Sequence, residues 1–144
     1  LAEAAQIARA RGVTLDAATG PAVAGAPEAA LDRTALARAA ANLVANAAEH
    51  ARSRVAVSCD VAGGHLVIEV ADDGPGFSPA ALERGCERLF TDDSSRSSRD
   101  EGRHYGLGLH VASEAASAHG GSVSLANGPS GGAVATIAVP LCGI

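Results

Sequence analysis

The stretch Asp72-Asp73-Gly74-Pro75-Gly76 constrains this chain more than any other. It stands where the apolar run from Leu66 to Ala71 stops, so it puts two acids at the tip of a strand. The residues that follow suit the interior of neither a strand nor a helix: proline removes a ladder hydrogen bond, and glycine weakens either element. The chain must turn here. Glycine also lets another group approach bare backbone, so the turn is either a plain corner or the floor of a pocket for a flat polar ring.

Upstream, Val55, Val57, Cys59 and Val61 alternate with polar or small residues, and Leu66, Ile68 and Val70 do the same after Gly63-Gly64. Two alternating runs around a Gly-Gly turn predict a β-hairpin ending at the acid pair. A second pair of strands is expected over Ser122 to Ala126 and Ala133 to Val139, around Gly128-Pro129-Ser130-Gly131-Gly132. Near the start, Leu1 to Arg11 reads as the last turns of a helix stopped by Gly12, followed by a short strand over Val13 to Ala17. The Gly/Pro/Ala stretch to Pro27 is loop, with a second short strand near Val23.

From Leu31 to about Ala51 there is no glycine or proline, and Asp32 or Thr34 can cap the start, which predicts a helix. At about 100° per residue, Leu36, Ala40, Leu43, Val44 and Ala47 share one face, while Ala35, Arg38, Asn42, Asn46 and Glu49 share another. Two asparagines and a glutamate in a row are either a solvated stripe or the lining of a polar site. Beyond the acid pair, a short helix over Ser78 to Gly85 precedes a polar run from Asp92 to His104, and a last helix runs from Gly106 to about His119. A long polar segment in a small domain is a functional loop or local disorder.

The 144 residues make one domain, and with 47% hydrophobic but only 2% aromatic residues the core must be built from Ala, Val, Leu and Ile. The net charge of -5 argues against a nucleic-acid or anionic-membrane surface. There is no lysine, so contacts with phosphate must come from Arg, His or backbone N–H groups. Cys59, Cys86 and Cys142 lack metal-ligand spacing and read as reduced packing thiols. No signal peptide or membrane-length apolar run occurs, and a start at Leu1 leads us to expect a fragment of a longer protein.

Asn42-Leu43-Val44-Ala45-Asn46-Ala47, Asp72 to Gly76, Gly106-Leu107-Gly108-Leu109 and His119-Gly120-Gly121 occur in that order, with a terminal strand ending at Pro140. Together they resemble the N, G1 and G2 boxes of the catalytic ATP-binding domain of bacterial sensor histidine kinases, of the GHKL superfamily. Arg88-Leu89-Phe90, with Arg96 beyond, looks like a loose F box. The resemblance implies an α/β sandwich of the Bergerat type: a mixed, mainly antiparallel five-stranded sheet with about three helices on one face. It also implies an ATP lid at about 77–105, of which residues 91–105 are expected to be mobile until Mg-ATP binds. Residues 1–11 would end the preceding phosphoacceptor helix, and 12–144 would be the catalytic domain.

By the same resemblance, ATP and Mg2+ are the expected cofactors. Asp72 matches the acid that accepts from the adenine amino group, with Gly74 and Gly76 allowing close approach, Asp73 less critical, and Ile68, Val70, Leu109 and Ile137 as apolar walls. Asn46 matches the magnesium residue and Asn42 its water-mediated partner; an amide oxygen suits this hard cation. Asn42 stands where related ATPases carry a water-activating glutamate, so slow hydrolysis is expected. Glu49 joins Asn42 and Asn46 as a catalytic candidate but departs from the pattern, because a carboxylate facing phosphates repels them unless magnesium intervenes or it turns to solvent. His50, Phe77, Tyr105, Leu107 and Thr136 complete the expected nucleotide contacts. Gly106 and Gly108 open a helix N-terminus suited to phosphate. His104 lies nearest that end, with Arg103 beside it and Arg96 or Arg99 reaching in from the lid.

None of His50, His65, His104, His110 and His119 has the acidic neighbour expected of the phosphoacceptor. The implied function is therefore transfer of the γ-phosphoryl group to a histidine on a helical dimerisation domain of the same parent protein, and from there to a response regulator. The parent is expected to be a homodimeric membrane-anchored sensor with this domain, by itself a monomer, on its cytoplasmic side. Rival readings are a serine kinase of the anti-sigma type and a degenerate nucleotide-binding scaffold.

Overall fold

Alternation and helix-breaking residues place the elements close to where they are expected. The computed structural model describes residues 2–19, 32–84 and 109–141. In chain order these form α1 (Ala2–Arg11), β1 (Thr14–Thr19), α2 (Arg33–His50), β2 (Arg54–Ala62), β3 (His65–Asp72), α3 (Pro79–Arg84), α4 (109–118), β4 (Ser122–Asn127) and β5 (Ala133–Pro140). The strand expected near Val23, the F box, the polar run 92–104 and residues 106–108 lie outside the described residues.

Of the two candidate caps for α2, Asp32 serves: its backbone is extended, and its carboxylate accepts from the Ala35 N–H at 3.0 Å. The helix stops at Ala51, whose N–H still reaches the Ala47 carbonyl. Gly63 and Gly64 both have positive φ, +59° and +78°, which is the two-residue turn whose twist matches a hairpin, and Ala62 pairs with His65.

The five strands form one sheet in the order β1-β2-β3-β5-β4, with β1 parallel to β2 and every other neighbouring pair antiparallel. The parallel β1–β2 pair needs a crossover, which contains α2. The last strand inserts beside β3, from His65 opposite Pro140 to Ala71 opposite Val134. That register brings Ala133 next to Asp72.

One face of the sheet carries the core. Val55, Val57, Ile68, Val70, Ala133, Ala135, Ile137 and Val139 are buried against Leu36, Ala39, Ala40, Leu43, Val44, Ala47 and Ala48 of α2 and Ala112 and Ala116 of α4. The alanines let helices and sheet approach closely, while Leu43 and Leu109 supply bulk; truncating Leu43 to alanine should cost about 2–5 kcal/mol. The two helices are also tied end to end. His119 Nε2 lies 3.0 Å from the Asp32 N–H and Nδ1 lies 2.8 Å from the Ala115 carbonyl. A backbone N–H can only donate, so Nε2 accepts and Nδ1 carries the proton. Among the described residues no helix is long and apolar enough to cross a membrane.

Candidate functional site

The site forms where the C-terminal half of α2 meets the end of β3. Along the polar stripe of α2, Asn42 is half-buried and Asn46 only 6% exposed. Among the described residues the Asn46 Oδ1 has no hydrogen-bond partner. A buried amide oxygen left that way costs about 1–3 kcal/mol, which a ligand or cation can offset. Glu49, the third member of the stripe, faces Arg11 of α1. Its carboxylate is forked by the Arg11 guanidinium of α1, at 2.7 and 2.8 Å, so the pair ties α1 to α2 one turn beyond Asn46.

Asp72 ends β3 on the helix-facing side, in step with Ile68 and Val70. Both of its hydrogen bonds fall on Oδ1, which accepts from the Gly74 N–H at 2.8 Å and the Ala133 N–H at 3.3 Å. Among the described residues Oδ2 accepts nothing, which leaves one oxygen for an amino donor. Burial pushes the carboxyl above its ordinary value, opposed by the two N–H groups and by nearby His50.

Asp73 is built differently. Oδ1 accepts from the N–H groups of Arg52, Ser53 and Arg54 at 2.8, 3.0 and 3.2 Å, and Oδ2 from the Ser53 hydroxyl at 2.7 Å. The Ser53 bonds, joined by those from Arg54 and Arg52, hold it well below the usual carboxylate range. It staples the α2–β2 loop to the end of β3, a task that its position in the acid pair did not reveal.

The glycines of the box are required by packing of backbone on backbone. A Cβ on Gly74 would stand 2.2 Å from the His50 carbonyl oxygen at the end of α2. At Gly76, with φ +86°, it would stand 2.4 Å from the Gly131 oxygen of the β4–β5 turn. These two residues therefore let the box nest between α2 and the hairpin. The chain leaves the box through Phe77, 5% exposed, whose N–H donates to Asn127 Oδ1 at 2.7 Å and whose carbonyl accepts from Asn127 Nδ2 at 3.1 Å.

The expected walls Ile68, Val70, Leu109 and Ile137 are buried in the layer between sheet and helices, and His50 is half-buried at the end of α2. Thr136 is a correction. The pleat of β5 turns Ala133, Ala135, Ile137 and Val139 toward the helices, so Thr136 faces the open side opposite Glu69 and Ser124, away from Asp72 and Asn46. His104, Tyr105, Gly106, Leu107 and Gly108, with Arg96, Arg99 and Arg103, lie outside the described residues. A separate open depression of about 250 Å³ between α1 and β1, lined by Ala5, Ala8, Arg9, Val13 and Leu15, contains none of these groups. Sequence reasoning missed Arg11, Asn127 and the Ala133 N–H. Asn127 sits before Gly128-Pro129, where asparagine reads as an ordinary turn residue.

Residues 31–143 match the family described as histidine kinase-, DNA gyrase B- and HSP90-like ATPase. The chain is 43% identical over 100 residues to the signal transduction histidine-protein kinase AfsQ2 of Streptomyces coelicolor, covering 69% of this chain and 18% of that protein. It thus spans about a fifth of the length of that curated relative. Among solved structures it is similar to the mycobacterial sensor histidine kinase MprB, with a TM-score of 0.74 at 25% identity over 96% of this chain and 91% of that one. It is also similar to the ATP binding domain of PrrB from Mycobacterium tuberculosis, with a TM-score of 0.64 at 26% identity over 95% and 88% of the two chains.

Proposed function

We propose, from the premise that this chain belongs to the histidine kinase-, DNA gyrase B- and HSP90-like ATPase family, that it binds Mg-ATP and passes the γ-phosphoryl group to a histidine on a helical dimerisation domain of its parent protein. The observation that carries the reading is the pairing of two unspent oxygens, Asp72 Oδ2 at the strand end and Asn46 Oδ1 on the helix beside it. The first is a carboxylate oxygen placed to accept from the exocyclic amino group of adenine. The second is a neutral, hard donor of the kind magnesium takes while keeping waters and substrate phosphates as its other ligands.

Asn46 fits that cation, and among the described residues no cluster of three His, Cys, Asp or Glu offers an all-protein site instead. Magnesium, when bound, supplies neutralisation of phosphate charge. Asn42, a turn earlier, holds water or a phosphate oxygen by its amide. Lacking the basicity of a glutamate, it does not activate water, so ATP is retained for transfer. Phosphoryl transfer needs positioning more than covalent help, and the box, the helix and the core supply a fixed floor for it. Glu49 belongs to the tie with Arg11 and not to the phosphates, and α1 marks the junction with the parent's helical domain. The parent is a homodimeric membrane-anchored sensor whose phosphohistidine supplies a response regulator, with this domain on the cytoplasmic side.

Mixing the protein with radiolabelled ATP, magnesium and the dimerisation domain of its own parent tests the reading. We expect slow hydrolysis, no label on this chain, and weak label on the partner that survives base and is lost in acid. Separate fragments lack the millimolar effective concentration that tethering supplies. Acid-stable label would assign a serine kinase instead, and ATP binding without any transfer would leave a scaffold.

A further inference from the structure

We propose that Asn127, on the β4–β5 hairpin, is a positioning residue for the nucleotide box: its side-chain amide sets the path of the backbone from Asp72 to Phe77 and thereby the aim of Asp72 Oδ2. The inference rests on the nucleotide reading given above. Asn127 lies 50 residues from Phe77 in sequence, yet its amide satisfies both backbone groups of that residue, at 2.7 and 3.1 Å. The arrangement copies one rung of a β-ladder with a side chain. Because the Phe77 N–H must donate, the atom it meets is the amide oxygen, and the nitrogen therefore faces the Phe77 carbonyl.

The same hairpin grips the other end of the box, where the Ala133 N–H donates to Asp72 Oδ1 at 3.3 Å. Between the two grips there is no slack. A Cβ on Gly76 would come within 2.9 Å of Asn127 Oδ1, and one on Gly132 would come within 1.9 Å of the Asp72 carbonyl oxygen. On the far side Asp73 fixes the box to residues 52–54. The segment that presents Asp72 is therefore bracketed by the α2–β2 loop and by the hairpin. Asn127 is the side chain through which the hairpin controls its exit into the buried Phe77. Only an amide does this: aspartate would set a second acceptor against the Phe77 carbonyl, and alanine would remove both bonds.

Calorimetric titration of ATP into wild type, Asn127→Asp and Asn127→Ala, well below each melting temperature, tests the proposal. Loss of this part-buried hydrogen-bonded contact should weaken ATP and ADP alike by about tenfold. The gain in affinity that magnesium gives ATP should be unchanged, since Asn46 is untouched. A residue that only adds stability would leave the affinity of the folded variants at the wild-type value, and that result overturns the proposal. A wild-type measurement needs no variant: the Phe77 amide should be protected from hydrogen exchange to the same degree with and without nucleotide. Protection that arises only on binding would mean that the bracket does not preform the box, and would also overturn it. Failure of wild type to bind ATP at all would instead remove the nucleotide reading itself.

Discussion

Asp72 and Asp73 are adjacent and chemically identical, and the two sides of the box they face have opposite uses. Asp72 is half out of water, and this burial raises its pKa against the Gly74 and Ala133 N–H groups that occupy one of its oxygens. The loop side leaves Asp73 near solvent, lowers its pKa, and fills both oxygens with donors from residues 52–54. A carboxylate with unspent accepting capacity at a partly dry position can select a ligand. One whose capacity is used by the chain is scaffold. The environment of each acid in this pair is therefore decided by which donors the fold brings up to it, and not by residue type.

The strongest way to break the comparison is Asp72→Asn. Replacing the charged acceptor should weaken ATP by about 100-fold, the scale of a charge-assisted hydrogen bond. The melting temperature should hold or rise, because a partly buried charge is relieved. Calorimetry and thermal melts check both, and unchanged affinity would remove Asp72 from the site. Next in size, Asn46→Ala should weaken Mg-ATP by about tenfold while leaving metal-free ADP unchanged; equal losses would make the buried amide structural. Asp73→Asn should reverse the pattern, with a lower melting temperature and nucleotide affinity intact in the folded protein. If it loses more affinity than Asp72→Asn, the assignment of site and staple is wrong.

The smallest effect is a pair of opposed pH slopes. The pKa of Asp73 is depressed by folding, so its stabilisation is present above the ordinary value of 3.8 and is lost as pH falls through the folded value. That of Asp72 is raised, so its contribution is present below 3.8 and is lost as pH rises through the folded value. The fall in urea midpoint from pH 6 to pH 3 should therefore be smaller in Asp73→Asn than in wild type, and larger in Asp72→Asn.

Much of this was legible in the chain itself, for reasons of range. The Asp32 cap, the helix through His50, the Gly63-Gly64 turn and the two alternating hairpins each follow from residues within a few positions of one another, so periodicity and turn chemistry locate them. The Asn42 and Asn46 stripe and the acid at the end of β3 were readable on the same basis. What only the tertiary structure decided lies in contacts between residues tens of positions apart. The insertion of β5 between β3 and β4 brings the Ala133 N–H to Asp72. The arrival of the hairpin turns Asn127 from a turn former into a grip on Phe77. Packing of α1 diverts Glu49 to Arg11, and the pleat of β5 sends Thr136 to the open face. Local sequence set which elements form and where the acids fall along them, because backbone preferences act over a turn or a strand. Tertiary packing divided the work between the two acids, because a carboxylate's partners and its access to water exist only once distant segments have closed around it.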